Sequence, residues 1–250
     1  MVEITTIAGT IGLGIMCKYP RPGQAKTRLG AKIGHGPATQ LAGAFIRDVF
    51  AVARSLAADG RVTPYAVYRP AGSEDALRAY VGTDTPLLLQ DEQDLGQAMF
   101  NALSQMLEYH PDGAIVIGSD FPTLPVGVVQ RAVEMLSRPG QRVVFGPAED
   151  GGFWLVGIKD RTVGPLFAPM VWGTSEVMAT MRARCAALPV AISETDFWYD
   201  VDDVDGLCRL LCELEESDWA VARHTRAVAA GLDPLMIEAW RRSGKSPRGR

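Results

Sequence analysis

The chain has 250 residues, 47% of them hydrophobic and 22% charged, the make-up of a water-soluble globular protein with one sizeable core. Its formal net charge of −4 argues against a broad basic face for nucleic acid. The apolar start, "MVEITTIAGTIGLGIM", has no basic region ahead of it and runs straight into charged residues. It therefore reads as a buried strand, neither a signal peptide nor a membrane span.

The first β-prone run, "TIGLGIM" (10–16), leads into "CKYPRPGQAKTRLG" (17–30), which gathers Lys18, Arg21, Lys26 and Arg28 beside two prolines and two glycines. Helical spacing follows over 37–58, with Leu41, Phe45, Val49 and Val52 on one side. Further β-prone runs are "VTPYAVY" (62–68), "PLLLQ" (86–90), "AIVIG" (114–118), "RVVFGP" (142–147), "FWLVGI" (153–158) and "PVAIS" (189–193). Between and after them, helical spacing covers 95–109, 126–136, 175–188 and 204–214. Strands apolar on both faces, alternating with helices, predict an α/β fold with a mostly parallel central sheet flanked by helices. We expect one domain over 1–217, a helical extension over 218–240 whose second helix opens at "DPLMIEAW", and a disordered basic tail over 241–250.

Four cysteines, Cys17, Cys185, Cys208 and Cys212, form no CxxC pair and lie far in sequence from His35, His110 and His224. They read as reduced structural thiols of a cytoplasmic protein.

In an open parallel sheet, ligands bind outside the carboxyl ends of the strands. The basic loop sits at such an end, which suits a small anion. Pro22 and Gly23 can shape a turn that presents backbone N–H groups. Lys26, Thr27 and Arg28 form a run of donors in which Arg28 can fork onto two phosphate oxygens. The loop is not a Walker A motif, because Ala25 stands where glycine is required, and Cys17 breaks a dinucleotide fingerprint. The bland alternative is a solvated basic turn.

Carboxylates supply the counterpart. Asp120, in "IGSDFPTLP", directly follows "AIVIG", and "FWYDVDDVDGL" carries Asp200, Asp202, Asp203 and Asp205. If extended, Asp200 and Asp202 share a face. Asp120 with Asp202 or Asp200 suits Mg²⁺ (or Mn²⁺), which takes one or two protein carboxylates and fills its shell with phosphate and water. The alternative for the later cluster is a helix N-terminus, the role expected of Asp203 and Asp205. In "FGPAEDGGFWLVGI", Asp150, Gly151 and Gly152 form either a hairpin tip or an acceptor site with Asp150 facing a hydroxyl. Trp172 and the run Phe197, Trp198, Tyr199 can pack in the core or stack on ligand.

Six ordered segments, "KYPRPGQAKTRLG", "DLGQAM", "GSDFPTLP", "GPAEDGGFWLVGI", "VWGTS" and "DVDDVDGL", resemble the radical-SAM/selenodomain-associated transferase 1 family. That family has a glycosyltransferase-A-like, nucleotide-diphospho-sugar transferase fold, and some members are assigned as arsenosugar-biosynthesis glycosyltransferases. It is similar to small guanylyltransferases that act on phospholactate or the molybdenum cofactor. The resemblance implies a phosphate loop at Lys18, Lys26 and Arg28, metal ligands at Asp120 and Asp202 with Asp200 close by, nucleotide contact at Gly96 and Gln97, and an acceptor near Asp150. Gln97 and Ala98 stand where the family has Glu and Arg, so an expected charge pair is missing.

Three functions follow as expectations. The first is nucleotidyl transfer from an NTP to a small phosphorylated or phosphonate acceptor, with Lys26 and Arg28 stabilising phosphate charge. The second is glycosyl transfer from a nucleotide sugar, with Asp150 as base. The third is a nucleotide-binding module without catalysis.

Overall fold

The computed structural model describes residues 11–90 and 94–232. The strands are β1 (Ile11–Lys18), β2 (Val62–Arg69), β3 (Leu87–Leu89), β4 (Ala114–Gly118), β5 (Arg142–Pro147), β6 (Phe153–Ile158) and β7 (Ala191–Glu194). The helices are α1 (Thr27–Ile33), α2 (His35–Ala58), α3 (Glu74–Val81), α4 (Leu95–Met106), α5 (Val126–Ser137), α6 (Val177–Ala186), α7 (Val204–Glu216) and α8 (Arg223–Ala229), with a 3₁₀ segment at Arg161–Phe167. One sheet holds the described strands in the order β3-β2-β1-β4-β6-β5-β7. β6 runs antiparallel to both of its neighbours, and every other pairing is parallel.

Alternation along β1 explains how both faces are covered. Ile11, Leu13, Ile15 and Cys17 point into one cluster with Val49 and Phe50 of α2 and Val129 and Val133 of α5. The opposite face of the sheet packs on Met99, Leu103 and Met106 of α4 and Met178 and Met181 of α6. Each of these four helices turns an apolar stripe to the sheet, which is the spacing read from the sequence.

The connections create the site. The chain moves from β1 to β2 to β3 on one side, then returns through α4 to place β4 on the other side of β1. The strand order therefore reverses at β1 and β4, and a crevice opens beyond their carboxyl ends. The loop after β1, the loop after β4 and the turn between β5 and β6 all reach that edge.

A third cluster joins Leu29 of α1 and Leu41 and Phe45 of α2 to Leu207, Leu210 and Leu214 of α7. α8 is fastened to α2 by Asp48, which is only 4% exposed. Its carboxylate accepts from the backbone N–H of His224 (3.0 Å), the N–H of Thr225 (2.8 Å) and the Thr225 hydroxyl (2.7 Å). Asp48→Ala would strand those donors in a buried place, so we expect a loss of about 2–3 kcal/mol. Chemical denaturation reads this directly, and an unchanged midpoint would refute the anchor. The expected second helix of the extension and the basic tail lie outside the described residues.

Candidate active site

Four segments, those after β1, β4 and β7 and the turn between β5 and β6, deliver the expected cationic and acidic side chains to one cleft of about 490 Å³. The loop after β1 turns through Gln24 and Ala25, whose N–H groups both donate to the Arg21 carbonyl (3.0 and 3.1 Å). Lys26 then adopts a left-handed backbone (φ 47°, ψ 51°) immediately before α1. That conformation is uncommon for a residue with a side chain.

The Lys26 side chain is 5% exposed and lies between two carboxylates: Nζ is 2.6 Å from Asp120 Oδ1 and 2.7 Å from Asp202 Oδ1. The Phe45 ring lies 5.5 Å beneath it. Arg28 Nη2 holds the other oxygen of Asp202 at 2.7 Å and is 68% exposed. Residues from three separate stretches of chain thus form one alternating chain of charge. Burial opposes the Lys26 charge, but Asp120 and Asp202 outweigh it and raise its pKa above the ordinary lysine value. Burial likewise opposes the Asp202 carboxylate, yet Lys26 and Arg28 hold it below the usual aspartate range.

Backbone pairing explains why these loops converge. The strip after β7 runs along the edge of the sheet. Thr195 N–H donates to Phe145 O (2.8 Å), Trp198 N–H to Pro147 O (3.2 Å) and Val201 N–H to Asp120 O (3.1 Å). Asp200 and Asp202 consequently face the same cleft as Asp120. Asp203 instead caps α7 by accepting from Gly206 N–H (2.9 Å), the helix-terminus role expected of it. Asp200 lines the cleft outside the ion-pair chain, where burial, then Asp202 and Asp150, push its pKa up to about 6.

Other expected site residues fall differently. Lys18 lines the cleft and donates to Gln24 O (2.9 Å), bracing the loop. Thr27, Asp150, Gly152 and Trp172 line it too. Gly23 is exposed at the outer bend and does not line it. Gln97 points along the exposed face of α4 to Asn101 (2.7 Å). Gly96 is buried, and a Cβ there would lie 2.6 Å from Trp172 Cζ2, so this glycine makes room for the tryptophan. Gly151 is packed against the Ser175 backbone. The "DGG" stretch is a hairpin turn between antiparallel β5 and β6 and also brings Asp150 to the cleft. Of the aromatic run, Tyr199 is buried and Trp198 half-buried, whereas Phe197 is exposed.

Arg69 and Gln90, which are not among the residues expected from the sequence, line the cleft just where β2 and β3 end. Polar residues at the carboxyl ends of parallel strands were the available signal. Asp94 is a further unexpected residue: it caps α4 by accepting from Gln97 N–H (2.9 Å) and also accepts from Trp172 Nε1 (3.3 Å).

Glu149, beside Asp150, is held by both terminal nitrogens of Arg209, one at 2.9 Å, and the guanidinium lies 3.7 Å over the Tyr199 ring. Hydrogen bonds from Arg209 keep the Glu149 carboxyl below its ordinary 4.5. A depressed carboxylate stabilises the fold above its unfolded pKa and loses that contribution as pH falls through its folded value. The stability gap between wild type and Glu149→Gln, about 1 kcal/mol or less for so exposed a pair, should be steady near neutral pH and shrink below pH 4.5. A gap unchanged in strong acid would contradict the pairing.

The cysteines are free thiols. Burial, aided by Asp120, pushes Cys17 up to about 12, so it is no nucleophile near neutral pH. Among the described residues no three His, Cys, Asp or Glu side chains gather as a metal-binding group. Asp120 and Asp202 nevertheless fit a divalent cation. Both already face one cationic point, both offer hard oxygens, and Mg²⁺ or Mn²⁺ needs no more than two such carboxylates when phosphate and water complete its shell.

Residues 52–174 match the model of a family described as an uncharacterized protein conserved in bacteria, DUF2064. No curated protein matches the chain. Among solved structures, a Desulfovibrio desulfuricans G20 protein assigned as a nucleotide-diphospho-sugar transferase is 27% identical, with a TM-score of 0.82 over 92% of this chain and 97% of that one. A CMP:2-keto-3-deoxy-manno-octonic acid synthetase complexed with CTP is 13% identical, with a TM-score of 0.54 over 83% of this chain and 99% of that one. A nucleotidyl transferase from Methanothermobacter is 11% identical, with a TM-score of 0.53 over 84% of this chain and all of that one. The fold is glycosyltransferase-A-like. Among the described residues no helix is long and apolar enough to cross a membrane.

Proposed function

We propose that the protein is a divalent-metal-dependent nucleotidyltransferase that moves a nucleoside monophosphate from an NTP to a small phosphorylated or phosphonate acceptor, releasing pyrophosphate. One observation carries the reading: Lys26 and Arg28 meet Asp120 and Asp202 at the crevice where the strand order reverses. Phosphoryl chemistry of this kind needs positioning and charge neutralisation more than a covalent nucleophile. Lys26 and Arg28 would bind and orient the phosphates, with Lys18 and Thr27 beside them. Asp120 and Asp202 would hold the metal, with Asp200 as a further oxygen nearby. When bound, the ion supplies charge neutralisation at the phosphate oxygens. An ionised acceptor phosphate requires no base.

Glycosyl transfer is the second reading. Asp150 in the cleft favours it, as does the likeness to the nucleotide-diphospho-sugar transferase. It is also the activity that the resemblance to the radical-SAM/selenodomain-associated family would bring. Here Asp150 would take the proton of an acceptor hydroxyl. Pyrophosphate release from each NTP, and nucleoside diphosphate release from nucleotide sugars, should be assayed with Mg²⁺ or Mn²⁺ and simple phosphorylated acceptors. Pyrophosphate is the expected product. Nucleoside diphosphate alone would select the second reading, and nucleotide binding without either product would leave a binding module. Because a ligand at a hundred times its Kd stabilises by about 2.7 kcal/mol, a thermal-shift screen over nucleotides would choose the donor first.

A further inference from the structure

We propose that Lys26 is the resident counter-ion of the two-aspartate site and excludes a free divalent cation until nucleotide phosphates give its ammonium another partner. The inference rests on the metal-dependent reading above and concerns the order in which the site fills.

Lys26 Nζ sits within 2.7 Å of one oxygen on each aspartate, and its side chain is almost wholly enclosed. A cation held by Asp120 and Asp202 would compete with Lys26 for the same two carboxylates, which puts two like charges in one small space. Their repulsion is strong at such range even under the effective screening of a protein site, so metal and ammonium exclude each other. Displaced without a new anion, the ammonium would be buried and unpaired against the Phe45 ring. A nucleotide changes that balance, because its phosphates enter the same cleft and can accept the ammonium at the end of its flexible stem. Arg28 differs in kind: it is exposed and can keep its Asp202 contact while the centre is exchanged. Metal and nucleotide are therefore coupled ligands, each raising the other's affinity by the same factor.

Equilibrium Mn²⁺ binding tests this, with bound metal measured after ultrafiltration of the full chain and with nucleotide-only controls. Wild type alone should bind Mn²⁺ about tenfold or more weakly than Lys26→Gln alone. Adding a non-hydrolysable NTP should close most of that gap. Lys26→Gln/Asp120→Asn should lose the gained binding, which assigns it to this site. Equal Mn²⁺ affinity in nucleotide-free wild type and folded Lys26→Gln would overturn the counter-ion role while leaving the metal-dependent reading standing. If Lys26→Gln does not fold, a tight Mn²⁺ site on nucleotide-free wild type that Asp120→Asn abolishes refutes the proposal equally. Absence of protein-bound Mn²⁺ in every sample, nucleotide included, would bring down the metal-dependent reading and this inference with it.

Discussion

Asp202→Asn is expected to lower turnover by about 10²–10³-fold while the protein still folds. The substitution conserves shape and removes charge, and it acts on two cations at once. Lys26 loses one of its two anionic partners, and the single amide oxygen of asparagine can accept from Lys26 or from Arg28 but no longer from both. Arg28 is largely exposed, and among the described residues Asp202 is the hydrogen-bond partner that aims it into the cleft. Misplacing a charge-stabilising group by about 1 Å can alone cost about 10²-fold. Stability should fall less, by about 1–3 kcal/mol, because Lys26 keeps Asp120 and the aspartate is itself partly solvated. Steady-state kinetics beside a denaturation curve separates the two quantities. Turnover within a few-fold of wild type would remove Asp202 from the machinery. A loss of activity that merely tracked unfolding would assign it to the scaffold.

The sequence carries the central strands clearly because they are buried on both faces. Apolar β-prone runs at 114–118, 142–147 and 153–158 coincide with β4, β5 and β6. Boundaries blur where packing or pairing decides them. α4 stops at Met106 rather than 109, and α6 starts at Val177 rather than 175, with no side-chain cap. α1 went unread because a seven-residue helix containing Gly30 has too little period to register. α3 had a legible opening, Ser73 followed by Glu74 and Asp75, and a legible end at Gly82, but it is short and buries only Leu77 and Val81.

The site divides along the same line. Lys26, Arg28 and Asp120 were legible as candidates because charge beside a buried strand end needs a reason, and Asp202, together with Asp200, because four aspartates gather within 200–205. That one ammonium touches both carboxylates was not legible, since it depends on a strip laid across the sheet edge by backbone hydrogen bonds. No side-chain pattern encodes those bonds. Gly96 and Gln97 show the converse: residues placed by resemblance at a nucleotide contact serve packing and the outer helix face in this chain.

Gly151→Ala should damage the cleft more than a glycine replacement ordinarily damages a loop. Gly151 has φ +88°, and a Cβ built there would lie 2.3 Å from Ser175 O, 2.5 Å from its Cα and 2.7 Å from its carbonyl carbon. All three contacts are backbone, so no rotamer change relieves them. One of the two segments must move. The 148–152 turn carries Ala148, Asp150 and Gly152 to the cleft, and the facing segment brings Trp172, Gly173 and Thr174. The Gly151 carbonyl also accepts from Met178 N–H (2.9 Å) at the start of α6. Gly140 is the natural control, since it has nearly the same backbone (φ +89°) with open space where its Cβ would stand. Gly140→Ala should therefore cost only the left-handed strain, about 1–2 kcal/mol, and leave turnover unchanged. Gly151→Ala adds a displacement to that strain, for about 2–4 kcal/mol in all, and turnover should fall well beyond what the lost stability explains. Two variants with equal stability losses and equal turnover would mean that the close approach of Ser175 does not shape the site.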